Sequence, residues 1–161
     1  MPSVGMDRQQ YLSNKFGSED NANSVYQRIA DEGEKNKIYF QFNKIAKTPN
    51  SFLSHKLLAY AHNKNKQTKV LELLFYKYFI EGEDIGSVNV LINVAKDADI
   101  YDENIEKYII SANDNDSLLN EEKHAKNIGI NSVPCFIFNK EIVVNGAQPT
   151  NNFIQIINSL N

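Results

Sequence analysis

The chain has 161 residues, and its 17 Lys and Arg against 20 Asp and Glu leave a formal net charge of −3. That length is one domain's worth of chain, and 42% hydrophobic and 23% charged residues exclude a disordered or collagen-like polymer. The acidic balance argues against nucleic acid as a partner, and the one cysteine, Cys135, excludes an internal disulfide, a Cys-based zinc cluster and a C-x-x-C redox pair within this sequence.

Residues 1–8 hold no apolar leader, and no stretch approaches ~18 uncharged apolar residues, so the reading is of a cytoplasmic protein without a membrane partner. Tyr11, Leu12 and Phe16, followed by Gly17, predict a first helix over 7–16. Ser18 or Asp20 caps a second helix whose stripe is Ala22, Val25, Tyr26 and Ile29, with Gly33 as its end. The period then changes: 37–42 is short and aromatic and reads as an extended strand with Ile38, Phe40 and Phe42 on one face. Thr48-Pro49-Asn50-Ser51 breaks it and caps the next helix.

Four amphipathic helices are predicted over 52–62, 67–81, 87–98 and 102–111. In the second, Val70, Leu71, Leu74, Phe75, Tyr78 and Phe79 form an apolar stripe that reads as core. A further helix covers 117–127, and Gly129 releases the chain into two apolar runs, 135–138 and 141–144, split by Asn139-Lys140 as in a β-hairpin. A final helix over 150–160 turns Phe153, Ile154 and Ile157 inward. Apolar residues at consecutive hairpin positions want cover on both faces and sheet neighbours on both edges. Only 37–42 offers another strand, so the sheet reads as incomplete.

His55, His62 and His124 all lie in helical segments without a metal-binding spacing. His62 and His124 read as solvent-facing, whereas His55 comes after a Pro-Asn turn, where imidazole and helix N-terminus can serve one small-molecule site. No nucleophile elbow, phosphate-binding glycine loop or calcium loop occurs, since 99–103 lacks the required glycine. Glu81, Glu83 and Asp84 read as a solvated connection. The sharpest motif is Gly129-Ile130-Asn131-Ser132-Val133-Pro134 running into the hairpin, where proline at a strand's first residue costs no ladder bond. Neighbouring strand side chains point oppositely, so Cys135 reads as a small core residue.

A helix, a G-I-x-x-V-P segment, a hairpin and a terminal helix together resemble the C-terminal half of the thioredoxin fold. The rest of the chain narrows the resemblance to the DsbA-like family and its FrnE-like branch, which carries a helical insertion. The residues that carry it are Gly5-Met6-Asp7-Arg8 with Tyr11-Leu12 and Lys15-Phe16-Gly17, then Pro49-Asn50-Ser51 with His55, Leu74-Phe75, Tyr78-Phe79, Glu81-Gly82, Asp84-Ile85-Gly86, Val133-Pro134 and Gly146-Ala147-Gln148-Pro149.

The resemblance implies an α/β, mostly helical fold in one domain spanning 1–161, with a helical insertion over about 7–128 and a cis-Pro loop, hairpin and terminal helix over about 129–161. It implies thiol–disulfide exchange as the family activity, with Val133 and Pro134 binding substrate, the bond between them cis, and Asn50 and His55 lining the cleft. The family opens with a strand, a C-P-W-C-type motif on a helix N-terminus and a second strand; this sequence starts after all three, so no catalytic residue, cofactor or metal site of its own is expected. The expected partners are a thiol or disulfide substrate or a small molecule in the cleft, with either a second copy or an N-terminal fragment completing the sheet. Two other readings stay open: a glutathione-dependent isomerase or kappa-class transferase on the same fold, and a non-enzymatic binding module.

Overall fold

The computed structural model describes residues 1–112 and 115–160, and the chain divides into two compact units, Met1–Asn115 and Asp116–Asn161. The first unit opens with a sheet that the sequence did not suggest: β1 (Met6–Asp7) pairs antiparallel with β2 (Lys47–Thr48), Met6 opposite Thr48 and Asp7 opposite Lys47. Asp7 also caps α1 (Arg8–Phe16), its carboxylate accepting from the Gln10 amide at 3.0 Å, and Gly17 ends that helix at φ +79°. Ser18 caps α2 (Glu19–Lys35) by accepting from the Asn21 amide at 3.2 Å.

Gly33, expected to stop this second helix, lies inside it instead. Its missing side chain makes room: a Cβ there would sit 2.6 Å from two ring carbons of Phe40 and 2.8 Å from the Ile38 carbonyl oxygen. The chain turns at Lys37, at φ +62°. Segment 37–42 is therefore not the strand its composition suggests. Its Gln41 amide bonds the Phe79 carbonyl at 2.8 Å, and Phe42–Lys44 closes a 3-10 turn. Phe40 stacks on Phe42 with ring centroids 5.0 Å apart, and both meet Phe79. Ring clustering has overridden β propensity, which is a statement about fitting a pleated surface that is not available here.

Four helices come next: α3 (Phe52–His62), α4 (Gln67–Tyr76), α5 (Val88–Asp97) and α6 (Ile105–Ile110). α3 packs on the other three, and α5 packs on α4 and α6. Leu57, Val70, Leu91, Val94, Ile105 and Ile109 are wholly buried between them, each stabilising the fold by about 1.5–3 kcal/mol. The expected helix over 67–81 is α4 followed by a π turn, Lys77–Glu81, that ends at Gly82 with φ +78°. Already within α4 the expected stripe narrows to a single i, i+4 line. Val70, Leu74 and Tyr78 stay buried, while Leu71 and Phe75 are 38% and 54% exposed.

α6 begins three residues after Asp102, its expected start, because that carboxylate is engaged elsewhere. It accepts from the Asn104 amide at 3.0 Å, the Tyr60 hydroxyl at 2.5 Å and Lys64 Nζ at 2.8 Å, tying the loop before α6 to α3. These hydrogen bonds, that from Lys64 foremost, hold the Asp102 carboxyl at about 2, below its ordinary 3.8. The wholly buried Lys56 donates to the Ser111 carbonyl at 2.5 Å.

The second unit contains α7 (Asn115–Asn127), β3 (Cys135–Phe138), β4 (Ile142–Asn145) and α8 (Thr150–Ser159). Asn139 and Lys140 turn the β3–β4 hairpin at φ +48° and +64°, the left-handed conformation that tight hairpin turns require. Phe153 packs edge-on against Phe136 at 4.7 Å and lies 6.2 Å from Phe138. That contact fixes the rotation of α8, so Ile156 is half-buried while Ile154 and Ile157, expected inward, are 49% and 50% exposed. Among the described residues of this unit, none is fully buried.

Gly→Ala inside a helix ordinarily stabilises by about 1 kcal/mol; Gly33→Ala should instead lower the urea midpoint, by an amount worth roughly 1–3 kcal/mol, because the new methyl meets Phe40 and backbone. A raised midpoint would contradict the packing described. Asp102 has a depressed folded-state pKa, so its contribution is complete above pH ~4 and is lost as pH falls toward about 2. Asp102→Asn should therefore melt below the parent protein at pH 6, with the gap closing by pH 2; a gap independent of pH would contradict it.

Candidate functional site

Val133 and Pro134 form an exposed corner at the head of β3, with Val133 88% exposed and the peptide bond between them cis. The Pro134 carbonyl accepts from the Gly146 amide at 2.8 Å. Register places Cys135 opposite Asn145, Phe136 opposite Val144, Ile137 opposite Val143 and Phe138 opposite Ile142. Bonded pairs alternate with unbonded ones along an antiparallel ladder. Starting from the bonded pair 134/146, the next are 136/144 and 138/142, so Cys135 and Ile137 aim their N–H and C=O groups at the opposite edge of β3. Among the described residues that sheet has two strands, and the outer edge of β3 has no neighbour in it.

The same alternation sorts the side chains. Phe136 and Phe138 face α8 through Phe153, so Cys135, Ile137 and Val143 occupy the other face. Ile137 and Val143 there are 43% and 48% exposed. Cys135, expected to be core, is a half-buried free thiol beside them. One hairpin thus presents an exposed corner, an open backbone edge and an apolar face carrying a thiol.

Asn50 and His55 belong to the first unit. Asn50 is committed at both ends of its amide: Nδ2 donates to the Pro2 carbonyl at 3.2 Å, and Oδ1 accepts from the Phe52 amide at 3.0 Å, which starts α3. Ser51, which occupies the N-cap position, makes no side-chain capping bond, so within the expected capping segment it is Asn50 that accepts from the helix start. His55, on the first turn of α3, donates its backbone amide to the Ser51 carbonyl at 3.0 Å and leaves its ring exposed. The structure therefore pairs Val133 with Pro134 on one loop and Asn50 with His55 around one helix start. His62 and His124 are exposed, as expected of solvent-facing residues.

Around Asn50 the structure adds a polar frame that the sequence reading missed. Lys47 Nζ lies 2.6 Å from Asp84, whose other oxygen accepts from the Gly86 amide at 2.9 Å, and Ser54 Oγ donates to the Ile85 carbonyl at 2.6 Å. Asp84 is thus a tether rather than part of a solvated charge cluster. Arg8, 8% exposed, places its guanidinium 4.7 Å from the Tyr26 ring and donates from Nη1 to the Tyr78 hydroxyl at 3.3 Å. The only warning in the sequence was an arginine directly after a helix-capping aspartate. Burial pushes the Tyr78 hydroxyl above its ordinary pKa of 10.0.

Chemically, one thiol can form a mixed disulfide but cannot resolve it. No cluster of three His, Cys, Asp or Glu able to hold a metal occurs among the described residues, and no helix among them is long and apolar enough to cross a membrane.

The profile of the DSBA-like thioredoxin domain matches residues 2–158. The crystal structure of a probable DsbA oxidoreductase from Streptomyces coelicolor superposes with a TM-score of 0.85 at 20% sequence identity, covering 96% of this chain and 67% of that one. No curated protein matches the sequence significantly. The helices, the hairpin after Val133-Pro134 and the terminal helix accordingly form a mostly helical α/β fold of the DsbA type, and the chain belongs to the DSBA-like thioredoxin-domain family.

Proposed function

We propose that this chain supplies the substrate-presenting part of a FrnE-like thiol–disulfide exchange site, working in the cytoplasm as one domain over 1–161, with the reactive cysteine pair carried by a segment outside this sequence. The observation that supports it is the exposed Val133–Pro134 corner leading into a strand whose outer edge is unpaired. An unpaired strand edge accepts extended backbone, so the N–H and C=O groups of Cys135 and Ile137 can take up a complementing strand. The exposed Val133 then offers apolar contact and the Pro134 corner a rigid shape to the polypeptide that carries the disulfide. In this reading Asn50 and His55 act at the start of α3, Asn50 by fixing its first turn and His55 through its exposed ring.

The exchange itself needs two thiols. A thiolate attacks one sulfur of the substrate disulfide, a new S–S bond forms, and the other substrate sulfur leaves as a thiolate. A second enzyme cysteine then attacks the mixed disulfide, releasing reduced substrate and leaving the enzyme pair oxidised. Cys135 could serve only the first of these steps.

Insulin reduction by dithiothreitol tests this. The 161-residue chain alone should match the uncatalysed rate. Adding a strand–C-x-x-C helix–strand fragment of a DsbA-like protein, on the order of 50 residues, should give catalysis above that of the fragment alone. Val133→Asp in the chain should cut the gain about tenfold by removing an apolar contact at the corner. Catalysis by the chain alone, lost on Cys135→Ser, would overturn the proposal, as would a fragment whose rate the chain does not change.

A further inference from the structure

The first unit carries an apolar surface that neither the hairpin nor the exchange chemistry uses. Ile38 and Phe40 line two adjoining grooves. One, of about 500 Å³, is floored by the α2 residues Val25, Ile29 and Gly33, with Arg28 and Glu32 on its wall. The other, of about 410 Å³, is walled by Phe75, Tyr76, Phe79 and Ile80. The segment between α2 and the 3-10 turn is thus a ridge with a groove on either side, and Tyr39 on it is 61% exposed. Ile29, Ile38, Phe75 and Tyr76 are 42%, 46%, 54% and 51% exposed.

We propose that this face is an isologous interface at which two copies of the chain pair about a two-fold axis. Two observations about this surface single out a second copy as the occupant. The area is adequate: with aromatic side chains of about 150–250 Å² each, the half-exposed residues present on the order of 600 Å², near the ~800 Å² that each partner contributes to a standard interface. A patch of that size is at the upper limit of what monomers leave exposed.

The second observation is charge. Arg28 and Glu32 are one helical turn apart on the exposed wall of α2, a 17-residue helix about 25 Å long. Glu32 also holds Lys35 of its own chain at 3.0 Å; two antiparallel copies crossing near residue 30 bring each Arg28 to the other copy's Glu32, which is then shared between two cations on either side of the Ile29 side chains. A parallel crossing would set like charges together, so the pattern also selects the orientation.

Sedimentation and light scattering across a dilution series, with circular dichroism as a folding control, test the proposal. The parent chain should dimerise, and Ile38→Glu and Phe75→Glu should each give a monomer with unchanged helicity. Arg28→Glu and Glu32→Arg, both at exposed positions that leave the core untouched, should each weaken association about tenfold, and the double variant should return to within about threefold of the parent. A chain that stays monomeric throughout would overturn the proposal and leave the face to a different polypeptide. So would a dimer indifferent to all four changes but lost on Ile137→Lys, which would move the contact to the hairpin, or a double variant no better than its parents.

Discussion

Leu57, Leu91, Val94, Ile105 and Ile109 lose all contact with solvent where α3, α5 and α6 meet, and most of the described structure depends on that seam. It sets the rotation of each helix, and the rotation decides which polar groups reach one another. Asp102 meets Tyr60 and Lys64 because α3 and the start of α6 are held side by side, and Ser54 reaches the Ile85 carbonyl from the opposite end of α3. All the fully buried apolar residues described lie between Ala22 and Ile109. Among its described residues the unit containing Val133 and Pro134 has none, and its hairpin meets α8 through the contacts of Phe153 with Phe136 and Phe138.

That asymmetry connects the fold to function. A strand edge that presents backbone groups, next to an apolar face with Ile137 and Val143 half-exposed, is unfinished as a structural element and ready-made as a binding one. The chain belongs to the DSBA-like thioredoxin-domain family and holds one thiol; the proposed role assigns presentation of a polypeptide to the residues of this hairpin. Asn50 and the Lys47–Asp84 pair stabilise the neighbourhood of α3's first turn rather than offer free donors.

Local signals in the sequence located most of the elements. Asp7, Ser18, Gly17 and Gly82 act as caps and stops because their chemistry is satisfied within a few residues. The features that could not be read depend on distant partners. Gly33 looks like a stop until Phe40 is known to sit on it. Segment 37–42 looks like a strand until its rings are seen clustered with Phe79. The pairing of Met6–Asp7 with Lys47–Thr48 has no local signature, since two residues are too few for a period. On the site, the Val133-Pro134 motif was legible because proline constrains its own backbone, whereas the commitments of Asn50 and the burial of Arg8 depend on residues up to 70 positions away.

Substrate presentation by this chain requires that β3 have an open outer edge. Amide hydrogen exchange, resolved by residue, tests that most directly. The amides of Leu57, Val94 and Ile109 should exchange slowest, those of Phe136 and Phe138 faster, and those of Cys135 and Ile137 close to the rate of unstructured peptide. Protection at Cys135 and Ile137 equal to that of the α3–α6 seam, in the chain alone and at a dilution where it is monomeric, would show that the edge is already paired and would contradict the presenting role.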